Sequence, residues 1–301
     1  MKKIASILSL LILTSMCFGQ DYEKEFNQSF QAGDTTKQIE VLTKWEAEDP
    51  KNPELFTSYF NYYFLKSRQE FISMSTRQPN GESLQLQDSD GQAAGFLGSD
   101  IQFNPEIFKK GIKKIDEGIK LYPNRLDMRF GKTYAFKEAK EWEKFTNEIV
   151  KTIQYSKKNN NEWTWTYNEK KEDGKDFFLN SIQGYQNTLY NTENDDLLEN
   201  MRTIAEEVLK IYPDHTESLS NIAITYLLTL EYDKGIEALL KAEKIEPNDG
   251  IVLSNIAYAY SLKGDFDNSK KYYEKMLKLE NAEAVEFAKE QIDELEKEEK
   301  K

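Results

Sequence analysis

The sequence predicts an all-α chain: a solenoid of about six helical hairpins, with a small inserted β-hairpin and a capping helix at the C-terminal end. Three observations lead to this fold class. The C-terminal third repeats at a fixed period, prolines continue that period upstream, and small and large apolar residues recur at helical spacing within each period. The composition agrees: 39% hydrophobic and 31% charged residues exclude a polytopic membrane protein, and 13% aromatic residues exclude a disordered acidic chain.

The repeat is clearest between residues 216 and 283. A shift of 34 residues aligns two segments with six identities in eight positions. A hairpin of this size cannot bury its apolar face alone, so stacked neighbours must build the core. The aligned segments are Leu219-Ser220-Asn221-Ile222-Ala223 followed by Tyr226, and Leu253-Ser254-Asn255-Ile256-Ala257 followed by Tyr260.

These segments resemble the tetratricopeptide repeat family, whose unit is a helix pair of 34 residues. The usual glycine at position 8 is alanine in both units, and the closing proline is lost in the second. The resemblance implies a right-handed array of helix pairs. The family's pattern of small and large positions reads Leu219, Ile222, Ala223, Tyr226, Gly235, Leu239, Ala242 and Pro247, then Leu253, Ile256, Ala257, Tyr260, Ser269, Tyr273, Met276 and Asn281.

Prolines extend this register towards the N-terminus, because a proline ends the second helix of each hairpin. Pro50, Pro123 and Pro213 each close a unit, and the intervals of 73 and 90 residues leave room for two insertions. We therefore predict one solenoid over residues 20–301. Its repeats are 20–52, 53–125, 126–215 as two repeats, 216–249 and 250–283, with a cap at 284–301.

The first insertion, residues 67–104, is predicted to be a β-hairpin. Residues Leu84-Gln85-Leu86-Gln87 alternate in polarity, and the turn-forming segment Asp88-Ser89-Asp90-Gly91 follows them. The hairpin is expected to lie between the two helices of one repeat.

The second insertion, residues 158–174, carries Trp163, Trp165 and Tyr167. In a strand these rings point to the same side and form a platform that could stack on a sugar or clamp an apolar side chain. Long insertions of this kind are often functional. The alternative is that the rings pack the insertion onto the helices.

The first nineteen residues are interpreted as an export signal. Lys2 and Lys3 precede an apolar run, Ile4 to Leu13, that is too short to span a bilayer. We expect cleavage between Gly19 and Gln20 and a soluble, exported chain. The periplasm is the expected location, and secretion is the alternative.

The only cysteine, Cys17, lies inside this signal. Acylation of Cys17 would instead give an outer-membrane lipoprotein, the one case in which we expect a membrane contact. Thr14 and Met16 depart from the residues that lipidation usually requires before the cysteine. Without Cys17, the exported chain has no thiol for a disulfide, a nucleophile or a zinc site.

The charge disfavours nucleic acid as a partner. The net charge is -13, and loss of Lys2 and Lys3 with the signal takes it to -15. Affinity for a phosphate backbone depends on neutralisation by Lys and Arg, which such a chain opposes.

No residue pattern predicts catalysis, a metal or a cofactor. Gly131-Lys132-Thr133 lacks the earlier glycine of a phosphate loop, and Asp88-Ser89-Asp90-Gly91 lacks the first and last ligands of a calcium loop. His215, the only histidine, is predicted in a surface turn, which argues against a two-histidine metal site and a Ser-His-Asp triad. Carboxylate chemistry in a cleft formed by the insertions is the enzymatic alternative.

The resemblance implies a function in protein binding. In the family, the first helices of successive repeats line a concave groove, where positions 2, 5, 9, 12 and 13 contact an extended or helical peptide. The Lys that one carboxylate-binding subgroup needs at position 5 is Ser here, which disfavours that mode. The expected contacts, with the Asn at position 6, are Glu217, Ser220, Asn221, Ile224 and Leu228, then Ile251, Ser254, Asn255, Tyr258 and Leu262.

The sequence thus predicts an exported, non-enzymatic scaffold that binds other envelope or exported proteins. A glycan- or cell-wall-binding protein that uses Trp163 and Trp165 is the first alternative. An enzyme is the second.

Overall fold

A computed structural model describes residues 21–77 and 83–298. The predicted export signal, residues 1–19, lies outside the described residues. Residues 21–31 are helical and are named α1. The other helices are α2 (Thr35–Glu48), α3 (Pro53–Ser67), α4 (Pro105–Leu121), α5 (Leu126–Glu138), α6 (Trp142–Lys158), α7 (Gly174–Tyr190), α8 (Leu198–Ile211), α9 (Thr216–Leu228), α10 (Tyr232–Ile245), α11 (Gly250–Lys263), α12 (Phe266–Met276) and α13 (Ala282–Glu298). The strands are β1 (Arg68–Ser75), β2 (Ser83–Gln87) and β3 (Ala93–Phe103).

Helix starts have a local chemical basis in capping residues. Asn52 and Asn104 precede Pro53 and Pro105, and each Asn side chain accepts hydrogen bonds from backbone N–H groups in the first turn of its helix. Asp249 caps α11 in the same way. Across the described ranges, no helix is both long and apolar enough to cross a membrane.

The chain divides into two compact units. Unit 1 runs to Glu141 and also contains Trp163–Glu172. Unit 2 comprises Trp142–Glu162 and the chain from Asp173 onward. The array that the sequence predicts as one solenoid therefore comprises two compact units, with α5 in unit 1 and α6 in unit 2.

Unit 1 is built around aromatic side chains. Tyr22 of α1 stacks on Trp45 of α2 with a ring-centroid distance of 6.4 Å, and Trp45 is fully buried. The two helices thus share an apolar core. The buried members of this core are Phe26, Val41, Leu42, Trp45, Leu55, Tyr59 and Tyr62.

Small residues allow α3 and α4 to approach closely. A Cβ atom added at Gly118 would lie 2.8 Å from Cβ of Phe56, and one at Gly111 would lie 3.1 Å from Cβ of Tyr63. Glycine is needed at position 118 because no larger side chain fits against α3.

The first insertion forms a three-stranded sheet, not only the predicted hairpin. β2 and β3 pair antiparallel on either side of the predicted turn, and β1 adds to the other edge of β3, which gives the order β1-β3-β2. β1 is absent from the prediction because Arg68 continues directly from α3, with no turn residue between helix and strand.

Unit 2 consists of stacked helices. α7 packs on α8, α9 on α10, α11 on α12, and α13 packs on α12. Ala223 and Ala257, the small residues at repeat position 8, are fully buried. A Cβ atom at Gly235 would lie 2.8 Å from Cδ2 of Leu227, so α9 and α10 need a small residue there. These contacts, together with the sheet of unit 1, confirm the predicted all-α fold of helical hairpins with a small β insertion.

Candidate functional site

The helices α9 and α11 lie side by side in unit 2 and carry the residues expected to contact a partner. On α11, Ile251 is 72% exposed, Tyr258 54% and Leu262 38%. Their spacing of seven and four residues places them on one face of the helix. Leu228, near the end of α9, is also exposed. We call the surface formed by Leu228, Ile251, Tyr258 and Leu262 the α9–α11 groove.

The two helices carry very little charge for a chain in which 31% of residues are charged. α11 has no charged residue before Lys263, and the only charged residue of α9 is Glu217, which is exposed at its start. Contiguous exposed apolar surface without charge is typical of a protein-binding site.

Two of the expected contact residues are buried, which corrects their predicted role. Ser220 and Asn221 are at most 9% exposed. Asn221 Nδ2 donates to Oε1 of Gln183 on α7 over 2.7 Å, so its amide joins α7 to α9. Three further expected contacts are partly buried: Ile224, Ser254 and Asn255.

A cavity of about 920 Å³ opens at one end of the groove, between the start of α11 and the cap helix α13. Ile251 and Ser254 line it on the α11 side, and Phe287 lines it on the α13 side. Phe287 is 41% exposed. The packing of α13 brings Phe287 to this cavity, and the sequence alone does not indicate that position.

A second cavity, of about 480 Å³, lies near the other end of the groove. Leu228 lines it together with Tyr190 of α7 and Met201 of α8. The exposed apolar residues of α9 and α11 are therefore flanked by a cavity at each end.

His215 marks the start of α9, as the N-cap residue. Its Nδ1 accepts a hydrogen bond from the backbone N–H of Ser218 over 3.3 Å, and its Nε2 lies 3.3 Å from a carboxylate oxygen of Glu217. Burial lowers the pKa of His215 below its usual value, Glu217 opposes this shift, and Lys175 adds to it. The neutral ring fits a cap that accepts a hydrogen bond.

The aromatic platform predicted for the second insertion is wrong. Trp163 is fully buried, Trp165 meets the edge of Phe130 on α5 at a centroid distance of 6.4 Å, and the segment is not a strand. Thr164 instead forms isolated bridges to Arg125 and Lys170. The rings pack the insertion onto unit 1, which is the alternative that the sequence analysis left open.

Tyr167 is held by hydrogen bonds at both its backbone and its ring. Its N–H donates to Glu54 and its hydroxyl donates to Glu23, each over 2.8 Å. The hydrogen bond to Glu23, followed by burial, raises the pKa of Tyr167 to about 12, so the hydroxyl keeps its proton at neutral pH. Tyr167 therefore fastens the insertion to α1 and α3.

In the part of the chain that the structure describes, no three His, Cys, Asp or Glu side chains are grouped so that they could hold a metal ion. The charged cluster of Arg125, Glu54 and Asp127 in unit 1 is closed by its own ion pairs. The exposed groove and its cavities are thus the surface in unit 2 with the features of a binding site.

The helices of unit 2 form a repeat of helical hairpins, and the α9–α11 groove is an exposed apolar surface on that repeat. Residues 252–283, which span α11 and α12, match the family model described as Tetratricopeptide repeat. This match falls on the repeat that the sequence predicts at residues 250–283. A comparison with curated protein sequences finds no match.

Several solved structures of tetratricopeptide repeat proteins are similar to this chain. YrrB, described as a TPR protein with an unusual peptide-binding site, is 11% identical, with 83% of this chain and 97% of that chain covered and a TM-score of 0.40. A tetratricopeptide repeat protein from Parabacteroides merdae is 11% identical, with 94% and 88% covered and a TM-score of 0.38. The P58(IPK) TPR domain is 14% identical, with 97% and 69% covered and a TM-score of 0.32.

Proposed function

We propose that this protein is an exported, non-enzymatic scaffold that binds an apolar or amphipathic peptide segment of another protein in the α9–α11 groove. One observation carries the proposal: Ile251, Tyr258 and Leu262 form an exposed stripe on a helix with no charge before Lys263. Contact between water and such a stripe is unfavourable. A partner that covers the stripe stabilises the complex by about 25 cal/mol of free energy per Å² of buried apolar surface.

The cavity beside Ile251 supplies an anchoring point for one large apolar side chain of the peptide. Binding energy at interfaces is concentrated in a few buried apolar or aromatic residues, and a pocket next to an exposed stripe favours this arrangement. Ser254 and the polar ends of the cavity leave hydrogen-bonding groups for the peptide backbone. An amphipathic helix or an extended segment both satisfy this geometry.

The acidic charge of the chain favours a partner with basic residues beside its apolar segment. A net charge of -13 attracts such a sequence over long range and speeds its association, while it repels acidic competitors. Affinity then comes from the apolar contacts in the groove.

The place of action is proposed from the sequence alone. Lys2, Lys3 and the apolar run that follows them support export, and envelope or exported proteins are then the available partners. N-terminal analysis of the protein from fractionated cells tests this step. We expect Gln20 as the first residue, without lipid, in the periplasm. Recovery with an acylated Cys17 would instead place the protein on a membrane.

A random-peptide display library selected against the purified protein tests the groove. We expect the selected peptides to carry two or three large apolar residues at helical or alternating spacing. Ile251→Lys should weaken their binding at least about tenfold, because it introduces a charge into an apolar contact. The matched control is Ile72→Lys in unit 1, since Ile72 is similarly exposed, and it should bind normally.

Two results would overturn the proposal. Peptides that bind the Ile251→Lys variant as tightly as the parent would bind somewhere other than the groove. A selection that yields no peptide above background would show that the exposed stripe does not take peptides.

A further inference from the structure

The three-stranded sheet of unit 1 has two chemically different faces. In the antiparallel register, Leu97 of β3 lies between Met74 of β1 and Leu84 of β2, and Ile72 lies opposite Ser99. Directly paired residues point to the same side of a sheet, and so do residues two apart on one strand. Ile72, Met74, Leu84 and Leu97 therefore share one face, which we call the apolar sheet face.

The apolar sheet face is exposed. Ile72 is 79% exposed, Met74 74% and Leu84 64%, and a shallow cavity lined by Ile72, Leu84 and Leu97 lies among them. Single exposed apolar residues are ordinary on protein surfaces, but a contiguous patch on a sheet marks an interaction surface.

The two edges of the sheet differ in how well they resist pairing with another strand. β2 is five residues long, and its register with β3 shifts between Leu86 and Gln87, so it is a poor template. β1 has eight residues in unbroken register with β3 and contains no proline, lysine or bulge. In the described chain, β1 pairs with β3 alone. Its outer edge is free to accept a strand.

Charge on the sheet is confined to the end nearest the helices. The charged residues of the three strands are Arg68, Glu70 and Asp100, all near the junctions with α3 and α4. The remainder of each strand is uncharged. Two chains that each carry a net charge of -13 repel each other over most of their surface, and the uncharged stretch of β1 beyond Glu70 lets them meet with less repulsion.

The sheet is held firmly at its base. Phe103 stacks on Phe64 of α3 at 5.3 Å and meets the edge of Phe108 of α4 at 5.5 Å, measured between ring centroids. The N–H of Asn104 donates to the carbonyl of Ser67 over 2.7 Å. A strand presented from a fixed base loses less entropy on pairing than a mobile one.

We propose that this protein forms a homodimer in which β1 of one copy pairs antiparallel with β1 of a second copy about a two-fold axis. The second copy is the occupant because residues 71–75 of β1 are uncharged and in unbroken register with β3, and a two-fold interface needs only one self-complementary patch. In a register that sets Ile72 against Ile72, Glu70 faces Met74 and no like charges lie opposite each other. The two sheets join into one, with a continuous apolar face across both copies.

Sedimentation velocity of the purified protein at increasing concentration tests the dimer. We expect a species of twice the chain mass. Ile72→Lys and Ile72→Glu should each weaken dimerisation at least about 100-fold, because two like charges then lie opposite each other at the two-fold axis. An equimolar mixture of the two variants should recover the dimer, since opposite charges then meet.

Ile251→Lys is the matched control and should dimerise like the parent, because Ile251 is similarly exposed but lies in unit 2. Circular dichroism of each variant establishes that it is folded. A parent chain that stays monomeric at all concentrations would overturn the proposal. A dimer that survives both Ile72 substitutions would overturn it equally, and would show that another surface or another strand makes the contact.

Discussion

Arg125 binds Glu54 through two hydrogen bonds, of 2.7 and 3.0 Å, although 71 residues separate them in sequence. The guanidinium of Arg125 is fully buried, and Asp127 accepts two more hydrogen bonds from it. Burial by itself lowers the pKa of Arg125, but the hydrogen bonds to Asp127 and Glu54 raise it above its usual value. The pair links the start of α3 to the start of α5. The N–H of Tyr167 donates a further hydrogen bond to the carboxylate of Glu54.

Arg125→Met should therefore destabilise unit 1 by about 3–5 kcal/mol, because it leaves Glu54 buried without its partner charge. Chemical denaturation combined with hydrogen exchange in α3 and α5 measures this effect. The matched control is Lys44→Met, which breaks the exposed pair with Glu40 and should leave the free energy of unfolding nearly unchanged, because water and salt screen this pair. Equal effects of the two substitutions would show that the buried cluster has no special role.

Glycines 118 and 184 should respond in opposite ways to alanine. Gly118→Ala drives a Cβ atom to 2.8 Å from Cβ of Phe56, and overpacking of this kind typically costs about 1–3 kcal/mol. Gly184 lies within α7 with no atom near its added Cβ, so Gly184→Ala should stabilise by about 0.5–1 kcal/mol. Denaturant midpoints of the two variants decide this. A Gly118→Ala variant as stable as the parent would mean that α3 and α4 do not approach so closely.

His215 should make the stability of unit 2 depend on pH. Its folded-state pKa is lowered, chiefly by burial, so the unfolded chain binds the proton more readily. The free energy of unfolding should be highest above the unfolded-state pKa of about 6.5. It should decrease as the pH falls through the lower folded-state pKa of His215. His215→Asn keeps an N-cap without a titrating ring and should lose this dependence. Urea denaturation between pH 7.5 and about 5.5 gives the free energy of unfolding of both proteins. The same change with pH in both would contradict a titrating role for His215.

The sheet should be removable without unfolding unit 1. Arg68 and Phe103 are directly paired, so an Asn-Gly turn can join them in place of residues 69–102. Phe103 keeps its ring contacts at the base. We expect the free energy of unfolding to change by no more than about 1 kcal/mol, since shortening a loop has a small effect. The shortened chain should also be monomeric. Loss of the folded signal of α3 and α4 would show instead that the sheet is part of the core.

The helical hairpins could be predicted from sequence because the repeat encodes them locally. Ala223 and Ala257 occupy equivalent positions 34 residues apart, and both are fully buried. Gly235 lies where α9 and α10 meet, as its place in the repeat requires. The same local code predicted the exposed face of α11, at Ile251 and Tyr258, whereas Ser220 and Asn221 of α9 are buried.

The parts that the sequence analysis missed depend on residues far apart in the chain. The alternation of Trp163, Trp165 and Tyr167 predicts a strand, but the backbone of Thr164 bonds instead to Asn124 and Leu126, which buries Trp163. Nothing near Glu54 in the sequence indicates that Arg125 will be its partner. Asn221 looks like a groove residue until Gln183 is placed beside it by α7. The periodicity of the sequence shows which residues share one face of a helix. It does not show which distant part of the chain packs against that face.

The central claim is that the α9–α11 groove binds another protein, and site-specific photo-crosslinking in living cells tests it most directly. A photoreactive phenylalanine analogue replaces Tyr258 in one strain and the exposed Lys241 of α10 in another. After irradiation, we expect the Tyr258 position to give a discrete crosslinked protein and the Lys241 position to give none. Crosslinks of equal pattern from both positions, or none from Tyr258, would contradict the claim.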